Sequence, residues 1–508
     1  MTRSPFLIAW LAVASVLSPP ASAETESRPV RIVAPFEIKG SDPAVSGDIF
    51  LRMDITETLV EADAQGRPVP ALASHWQVDP GGKRWTFTLR DNVQFHDGSP
   101  LNAESVVKSL QVARSKPGLL DKAPITDIQA QGNTVIIHLS RPFAPLLTFL
   151  AESRSQILAL SAWNAAGQVS KVIGTGPFEL TRFQPPQQLE VKRFAHYWGP
   201  QPAITAARYL SAGRAETRAV LAESGDADYV FNLDPASRAR LAQRPQLKLL
   251  SVSVPRTVLL KLNAAHPALQ QVEARQAISL AIQRDALARA VLRYPASATQ
   301  MFPPSVPDWH NPQLPALAWQ PAEAKKKLAA LGWTAGADGI LTREGQRFAL
   351  TLTTYPDRPE LPLIAMVIQQ QLRSIGIDVT LNSTNSSEIP LKHHNNTLDM
   401  ALFARNFALT PDPLGTLMQD YPATGGDWGA MNWHNAAFTA ALDELTQPDV
   451  QDANALRQQV TAILQAELPV IPVAWYQQTV AVARGLQIPG VDPFERHFGL
   501  REMQWEAK

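Results

Sequence analysis

The chain changes its pattern once, near Val258, and that change limits what it can fold into. Before it, short β-rich runs alternate with turns. Val30–Pro35 reads as a first strand. Arg84–Leu89 (RWTFTL) alternates between two faces as a half-buried strand does, behind the tight turn Asp79-Pro80-Gly81-Gly82. Asn102 is placed to cap a helix over Ala103–Ala113, with Val106, Val107 and Leu110 on one face. Thr134–Leu139 is a further strand, and Pro145–Leu150 opens a short apolar helix. Phe178–Phe183 and Gln188–Arg193 are two strands around a Pro-Pro turn, Ala215–Glu223 is helical, and Asp228–Asn232 returns to strand. After Val258 the order becomes strand–helix–strand. The pattern predicts one long helix over Val272–Leu292 and a proline-rich loop over Phe302–Pro321. Next come a helix over Ala322–Leu331 and a strand over Phe348–Thr353. A helix over Leu361–Ile375 follows, with Leu363, Met366, Val367 and Leu372 along one side, and then a strand over Ile377–Leu381. Helices over Ala436–Leu445 and Asp452–Glu467 precede the apolar strand Val470–Trp475, and the tail from Gly485 is turn-rich. This order is that of an α/β lobe.

The chain has 508 residues, enough for about three compact units. Its 46 basic residues balance 46 acidic ones, so it lacks the long-range field that nucleic-acid and anionic-membrane binders use. There is no cysteine, which excludes thiolate zinc sites, Fe–S clusters, a cysteine nucleophile, disulfides and a lipid-modified N-terminal cysteine. Arg3, the apolar run Phe6–Leu17 and the small residues Ala21-Ser22-Ala23 have the layout of a secretory signal peptide over residues 1–23; a buried N-terminal helix is the alternative. The expectation is an exported chain starting near Glu24, with no later run of ~18 apolar residues to hold it in a bilayer. No internal repeat or long low-complexity linker occurs, so short ordered crossings would join the lobes.

Catalytic signatures are missing. There is no His-Glu-x-x-His, P-loop or Gly-x-Ser-x-Gly. Gly174-Thr175-Gly176 is half a dinucleotide fingerprint, but Pro177 stands where a helix should open. His393-His394, the one histidine pair, lies in a polar stretch (KHHNNT) that reads as a solvated loop rather than a metal site. Two carboxylates from distant positions meeting in space would still allow an enzyme.

Several stretches, in one order, carry a resemblance. They are Glu57-Thr58-Leu59-Val60, Pro68-Val69-Pro70-Ala71-Leu72-Ala73, Trp76, Trp85–Arg90, Val93-Gln94-Phe95-His96-Asp97-Gly98 and Ala103-Glu104. Gly174-Thr175-Gly176-Pro177-Phe178, Tyr197-Trp198-Gly199, Arg275-Gln276-Ala277, Ala281-Ile282 and Arg284 continue the series. Ala330-Leu331-Gly332-Trp333, Gly376-Ile377-Asp378-Val379 and Pro469-Val470-Ile471-Pro472 complete it. Over residues 45–480 the chain resembles the extracellular solute-binding proteins of ABC importers, in the peptide/nickel-binding family (family 5), nearest its nickel- and metallophore-binding branch. The resemblance implies a two-lobed α/β clamp of the periplasmic-binding-protein type II, large cluster C-like kind. Residues 24–257 plus 485–508 would form a large lobe of two subdomains and 258–484 a smaller one, with crossings near Arg256–Leu262 and Thr479–Arg484. It further implies a monomer that hands its ligand to the transmembrane subunits of an ABC permease in a periplasm, with no catalysis and no nucleic acid. Ligand would favour closure because contacts to both lobes exist only when closed.

The ligand class follows from where the sequence departs from peptide binders. Those members place an aspartate for the peptide ammonium between an aromatic and an Asp-Pro; here the stretch is Arg405-Asn406-Phe407-Ala408-Leu409-Thr410-Pro411-Asp412-Pro413. Neither Leu409 nor Thr410 supplies a charge, and a buried ammonium without a partner costs several kcal/mol. Arg154 falls where the nickel and metallophore binders place an arginine on a chelator's carboxylates; a planar guanidinium suits that task. Its alternative is a surface arginine in an inter-domain salt bridge. Arg405 is a second candidate, for ligand contact or structural pairing, and Phe407 would stack on the guest or serve as a core aromatic. Thr410, Trp428, Arg496 and His497 complete the candidate set, with Trp433 as a further wall. Met418–Gly426 holds no histidine, the nearest being His434, so no direct protein ligand to a metal is identified. The resemblance therefore implies a carboxylate-bearing small ligand, in the leading case a nickel–chelator or opine-type metallophore complex, with any metal carried as cargo and no resident cofactor. An oligopeptide, dipeptide or glutathione is the alternative within the family, and a secreted hydrolase the alternative outside it.

Overall fold

A computed structural model describes residues 28–506 except 47, 117, 357, 359 and 409. The expected signal peptide, the start near Glu24 and Leu409 lie outside the described residues. Two long strands, Leu247–Leu262 and Val470–Ala483, run antiparallel side by side through the middle of a ten-stranded sheet. On one flank stand Met400–Asn406, Ala349–Thr354 and Asp378–Ser383; on the other, Tyr229–Val230, Val30–Ala34, Ala206–Ser211, Gln188–Arg193 and Phe178–Gln184. Both long strands are buried over Val258–Leu262 and Val470–Ala474, and apolar there but for Lys261, as strands covered on both faces tend to be. Their pairing slips between Ser253 and Thr257, where Pro255 has no N–H to give to the ladder.

Packing divides along these strands. One core draws its buried residues from Val258 through Ala474. A second is built on the four-stranded antiparallel sheet Ala73–Val78, Arg84–Leu89, Thr134–Leu139 and Ile125–Gln131, covered by the helix Ala103–Arg114. A third joins Val30–Ile55 and Leu158–Phe231 to Val480, Val482, Phe498, Leu500 and Met503, so the tail packs back on the N-terminal part. Core membership thus changes between Leu247 and Val258 on the first long strand. On the second it changes between Ala474 and Val480, slightly ahead of the crossing expected at Thr479–Arg484.

Two expected helices differ. The single helix over Val272–Leu292 is broken: Val272–Ala281 stops at Ile282, which is extended (φ −84°, ψ 112°), and a short helix restarts over Arg284–Leu287. The buried Arg284 explains the break. Its guanidinium donates to the Ser279 carbonyl (3.1 Å), the Ser279 hydroxyl (2.8 Å) and the Pro472 carbonyl (2.8 Å), taking up acceptors that a helix end leaves open. In the helix Glu360–Ser374 the buried stripe is Leu361, Ile364, Ala365, Ile368 and Leu372, while Leu363 and Met366 are exposed. The segment has two overlapping apolar stripes, and the longer i, i+3, i+4, i+7 series faces the sheet. The helix over Ala103–Arg114 forms as expected, with the Asn102 carboxamide accepting from the Ser105 N–H at 2.8 Å.

Candidate functional site

Where the long strands cross between the cores, a cleft of about 270 Å³ opens. It is lined from both sides. Asp48 and Arg52 come from the helix Asp48–Arg52, and Glu152, Ser153 and Arg154 from the turn after the helix Leu146–Leu150. Arg256 comes from the long strand at its register slip and Asn406 and Ala408 from the end of Met400–Asn406; Phe494, Glu495 and Arg496 come from the returning tail. Arg256 and Asn406 are partners in the sheet, which fixes their spacing.

Four arginines and three carboxyl groups therefore face one small space. Two arginines are committed: Arg256 Nη2 donates to Glu495 at 2.6 Å, and Arg496 donates to Glu61 and to the Ala62 carbonyl, both at 2.7 Å. Arg154 is half-exposed, with its Nε 3.7 Å from the Glu152 carboxyl. Burial pushes the Glu152 carboxyl up to about 7, against the pull of Arg154. With Arg256 and Arg496 held on carboxylates and Glu152 only part-ionised at neutral pH, Arg52 and Arg154 are the guanidinium groups that favour an anionic guest.

The sequence-derived candidates are spread over three places. Arg154 and Arg496 line the cleft. Arg405 turns away from it, donating through Nε and Nη2 to the two oxygens of the buried Asp420, the second contact at 2.9 Å. Phe407 is fully buried and packs edge-on against Phe302 at 4.9 Å, in the core rather than on the cleft wall. Thr410 is likewise buried, its hydroxyl donating to the Asp412 carbonyl. Trp428 packs against Phe403 at 5.4 Å and Tyr355 at 6.4 Å, and Trp433 donates through Nε1 to Glu467.

His497 sits in a charge cluster behind the cleft, between Asp54 and Glu61 at 3.2 Å from each. Burial works against its protonation, but Glu61 and Asp54 outweigh that and raise it to about 9. Arg501 closes the cluster on Asp54 at 2.6 Å, and with His497 it brings that carboxyl below its ordinary value despite burial. Next to it, buried Glu57 accepts from the Thr175 hydroxyl (2.8 Å), Tyr197 (3.1 Å) and Trp198 Nε1 (2.9 Å). His393, expected in a solvated loop, instead ends the helix Glu388–His394, with Nδ1 2.9 Å from the Nζ of buried Lys261. Among the described residues no group of three or more His, Asp or Glu is placed to hold a metal ion, and no helix is long and apolar enough to cross a membrane.

Sequence reasoning missed Arg52, Glu152, Arg256 and Asn406. Arg52 carried a signal, since it interrupts the apolar run Ile49-Phe50-Leu51-Arg52-Met53, and a charge in such a run is rarely buried without purpose.

The sequence pattern of the bacterial extracellular solute-binding proteins, family 5, matches residues 67–428. The chain belongs to that family. It is 29% identical over 482 residues to the nickel-binding periplasmic protein of Escherichia coli K12, covering 89% of this chain and 91% of that one. It is 26% identical over 535 residues to a dipeptide-binding protein of Pseudomonas aeruginosa, covering 97% of each. The structure superposes on that of NikA from Brucella suis in complex with Fe(III)-EDTA with a TM-score of 0.84, at 24% identity, over 94% of this chain and all of that one. The fold is accordingly the two-lobed clamp of family 5 binding proteins. The chain is a solute-binding protein of an ABC importer, in a family that binds nickel or peptides.

Proposed function

We propose that the protein captures a carboxylate-bearing small ligand, in the leading case a nickel–chelator or opine-type metallophore complex, in the cleft between its lobes. It then delivers the guest, chemically unchanged, to the transmembrane subunits of an ABC permease, working as a periplasmic monomer. The observation that carries this reading is that four arginines line one cleft, two of them, Arg256 and Arg496, held on Glu495 and Glu61, while Arg154 stands 3.7 Å from Glu152 and Arg52 4.0 Å from Asp48. Arg154, half-exposed on the cleft wall, would grip a carboxylate of the guest.

The stretch where peptide binders hold an ammonium group argues the same way. Asp412 is occupied within its own lobe, accepting from Trp309 Nε1 at 2.9 Å and the Leu414 N–H at 2.8 Å, and it does not line the cleft. Thr410 is spent on the Asp412 carbonyl. Any metal would arrive already wrapped, the cleft offering carboxyl groups but no histidine.

Isothermal titration of the purified protein with nickel–EDTA, bis-histidine nickel, dipeptides and glutathione tests the reading, with small-angle scattering to follow closure. Tight binding and compaction with a chelated metal are expected; tight binding of plain dipeptides would overturn the ligand class. A chemically altered guest would overturn the carrier role.

A further inference from the structure

Arg52 is a cleft arginine held by aromatic rings, with its nearest carboxylate, Asp48, 4.0 Å away. Its side chain is about nine-tenths buried. The guanidinium carbon lies 4.3 Å from the centre of the Phe36 ring, 5.7 Å from Phe231 and 5.9 Å from Phe498, so three aromatic side chains hold it in place. The Phe498 N–H donates to the Arg52 carbonyl at 3.1 Å, tying the end of its short helix to the returning tail. Yet Nε and Nη1 are shut off from solvent with no hydrogen-bond acceptor. The nearest carboxylate, Asp48, is 4.0 Å from Nη2, beyond hydrogen-bond length, and is itself half-exposed and taken up by the Ser153 hydroxyl.

A buried guanidinium with two donors unsatisfied is costly, and native proteins rarely leave one so. The other cleft arginines are differently placed. Arg256 and Arg496 also leave Nε without a partner, but their Nη groups are on Glu495, Glu61 and the Ala62 carbonyl. Aromatic faces, unlike carboxylates, fix a guanidinium without neutralising it, which leaves its charge available to an incoming anion. Both Arg52 and Arg154 line the same cleft, whose volume falls just below the ~300–1,000 Å³ range of ligand pockets.

We propose that Arg52 is the anion anchor of this cleft and takes one carboxylate of a compact guest that carries at least two, the second falling to Arg154. This rests on the reading that the cleft is the capture site, and it adds the residue that selects the guest: one carboxylate must reach Arg52 while the other meets Arg154.

The test uses the full chain and three probes: tricarballylate, its triamide and the dipeptide Ala-Ala. In the wild type, tricarballylate should bind at least a hundredfold more tightly than the triamide. Arg52→Met should abolish that preference, and Arg52→Lys should restore part of it. Because Arg52→Met also changes what the aromatic cradle packs against, the wild type supplies a second readout. The Arg52 Nε–H resonance, assigned by its disappearance in the Lys variant, should shift on saturation with tricarballylate. A role confined to packing Phe36, Phe231 and Phe498 would lower the melting temperature of the Met variant and leave the preference and the resonance unmoved, which overturns the proposal. Binding and closure with Ala-Ala but not tricarballylate would overturn it while leaving solute capture intact. Failure of these three probes and of the nickel complexes to bind would remove both.

Discussion

The Glu152 carboxyl and the Arg154 guanidinium lie 3.7 Å apart at the cleft wall, and the carboxylate accepts the Arg154 backbone N–H at 3.2 Å, yet burial still leaves Glu152 near half-protonation at neutral pH. Its acid form is favoured in the fold up to about pH 7, against 4.5 ordinarily. Between those values the unfolded chain is ionised and the folded one is not. This group's contribution to stability is therefore fully present below about pH 4.5, falls as pH rises to about 7, and is level above. The loss is on the order of 3 kcal/mol by linkage. Glu152→Gln should remove it: its melting temperature should match wild type near pH 4.5 and exceed it at pH 8. Parallel melting curves across that range would show that Glu152 is already ionised in the fold.

Arg154 is half-exposed on the cleft wall, where ion pairs contribute little to stability. Arg154→Ala should weaken binding of a carboxylate-bearing ligand at least tenfold, about 1.4 kcal/mol, while the unliganded melting temperature barely moves. Titration calorimetry beside thermal melting checks both halves. Equal affinities would take Arg154 out of the site.

Arg405 is expected to respond in the opposite way. It meets Asp420 at two points with both side chains buried, and breaking such a pair from one side costs about 3–5 kcal/mol. Arg405→Ala should therefore destabilise the unliganded fold by that order. Arg405→Leu with Asp420→Leu should recover a good part of the loss, because no lone charge stays buried. Chemical denaturation of the four proteins of the cycle measures the coupling. A stable Arg405→Ala variant with lost ligand affinity would return Arg405 to the cleft.

Much of the fold was legible because periodicity and caps are local. Arg84–Leu89, Thr134–Leu139 and Ala436–Leu445 form over the residues expected, and Asn102, Asn435 and Asp452 each cap the helix that follows. The site was less legible because its geometry is set by what each side chain meets across the chain. Arg405 and Arg154 look alike in sequence. One finds Asp420 fifteen residues on, inside its own lobe, and the other finds the cleft. The motifs that carry the family resemblance converge behind the cleft rather than in it. Thr175, Tyr197 and Trp198 meet on Glu57, and Gly174 and Gly176 lie so close to Ile55 and Asp54 that a Cβ would fall 2.3 Å and 2.2 Å from their carbonyl oxygens. Such residues hold the scaffold, and they say little about the guest.

Closure should be separable from binding through one glycine. Gly415 lies in the helix Leu414–Asp420 of the second lobe, and a Cβ there would come within 2.6 Å of the Phe149 ring, which belongs to the core of the first lobe. Phe149 is itself buried against Phe143 at 5.2 Å, so its ring has little room to yield. Nearby, the Ala144 N–H donates to the Thr446 carbonyl at 2.6 Å and Met418 packs against both cores, so this rim is where the lobes touch. Gly415→Ala suits the helix itself better, and Gly415→Val adds bulk at the contact, where overpacking costs about 1–3 kcal/mol. That cost falls on the state in which the helix Leu414–Asp420 packs on Phe149, so it is expected to weigh against the lobes' coming together. Ligand affinity should therefore drop roughly tenfold or more in the Val variant, with the Ala variant between it and wild type, while unliganded melting temperatures stay close to wild type. Small-angle scattering with saturating ligand should report a larger radius of gyration for the Val variant. If both variants bind and compact as wild type does, the Gly415–Phe149 contact does not govern closure.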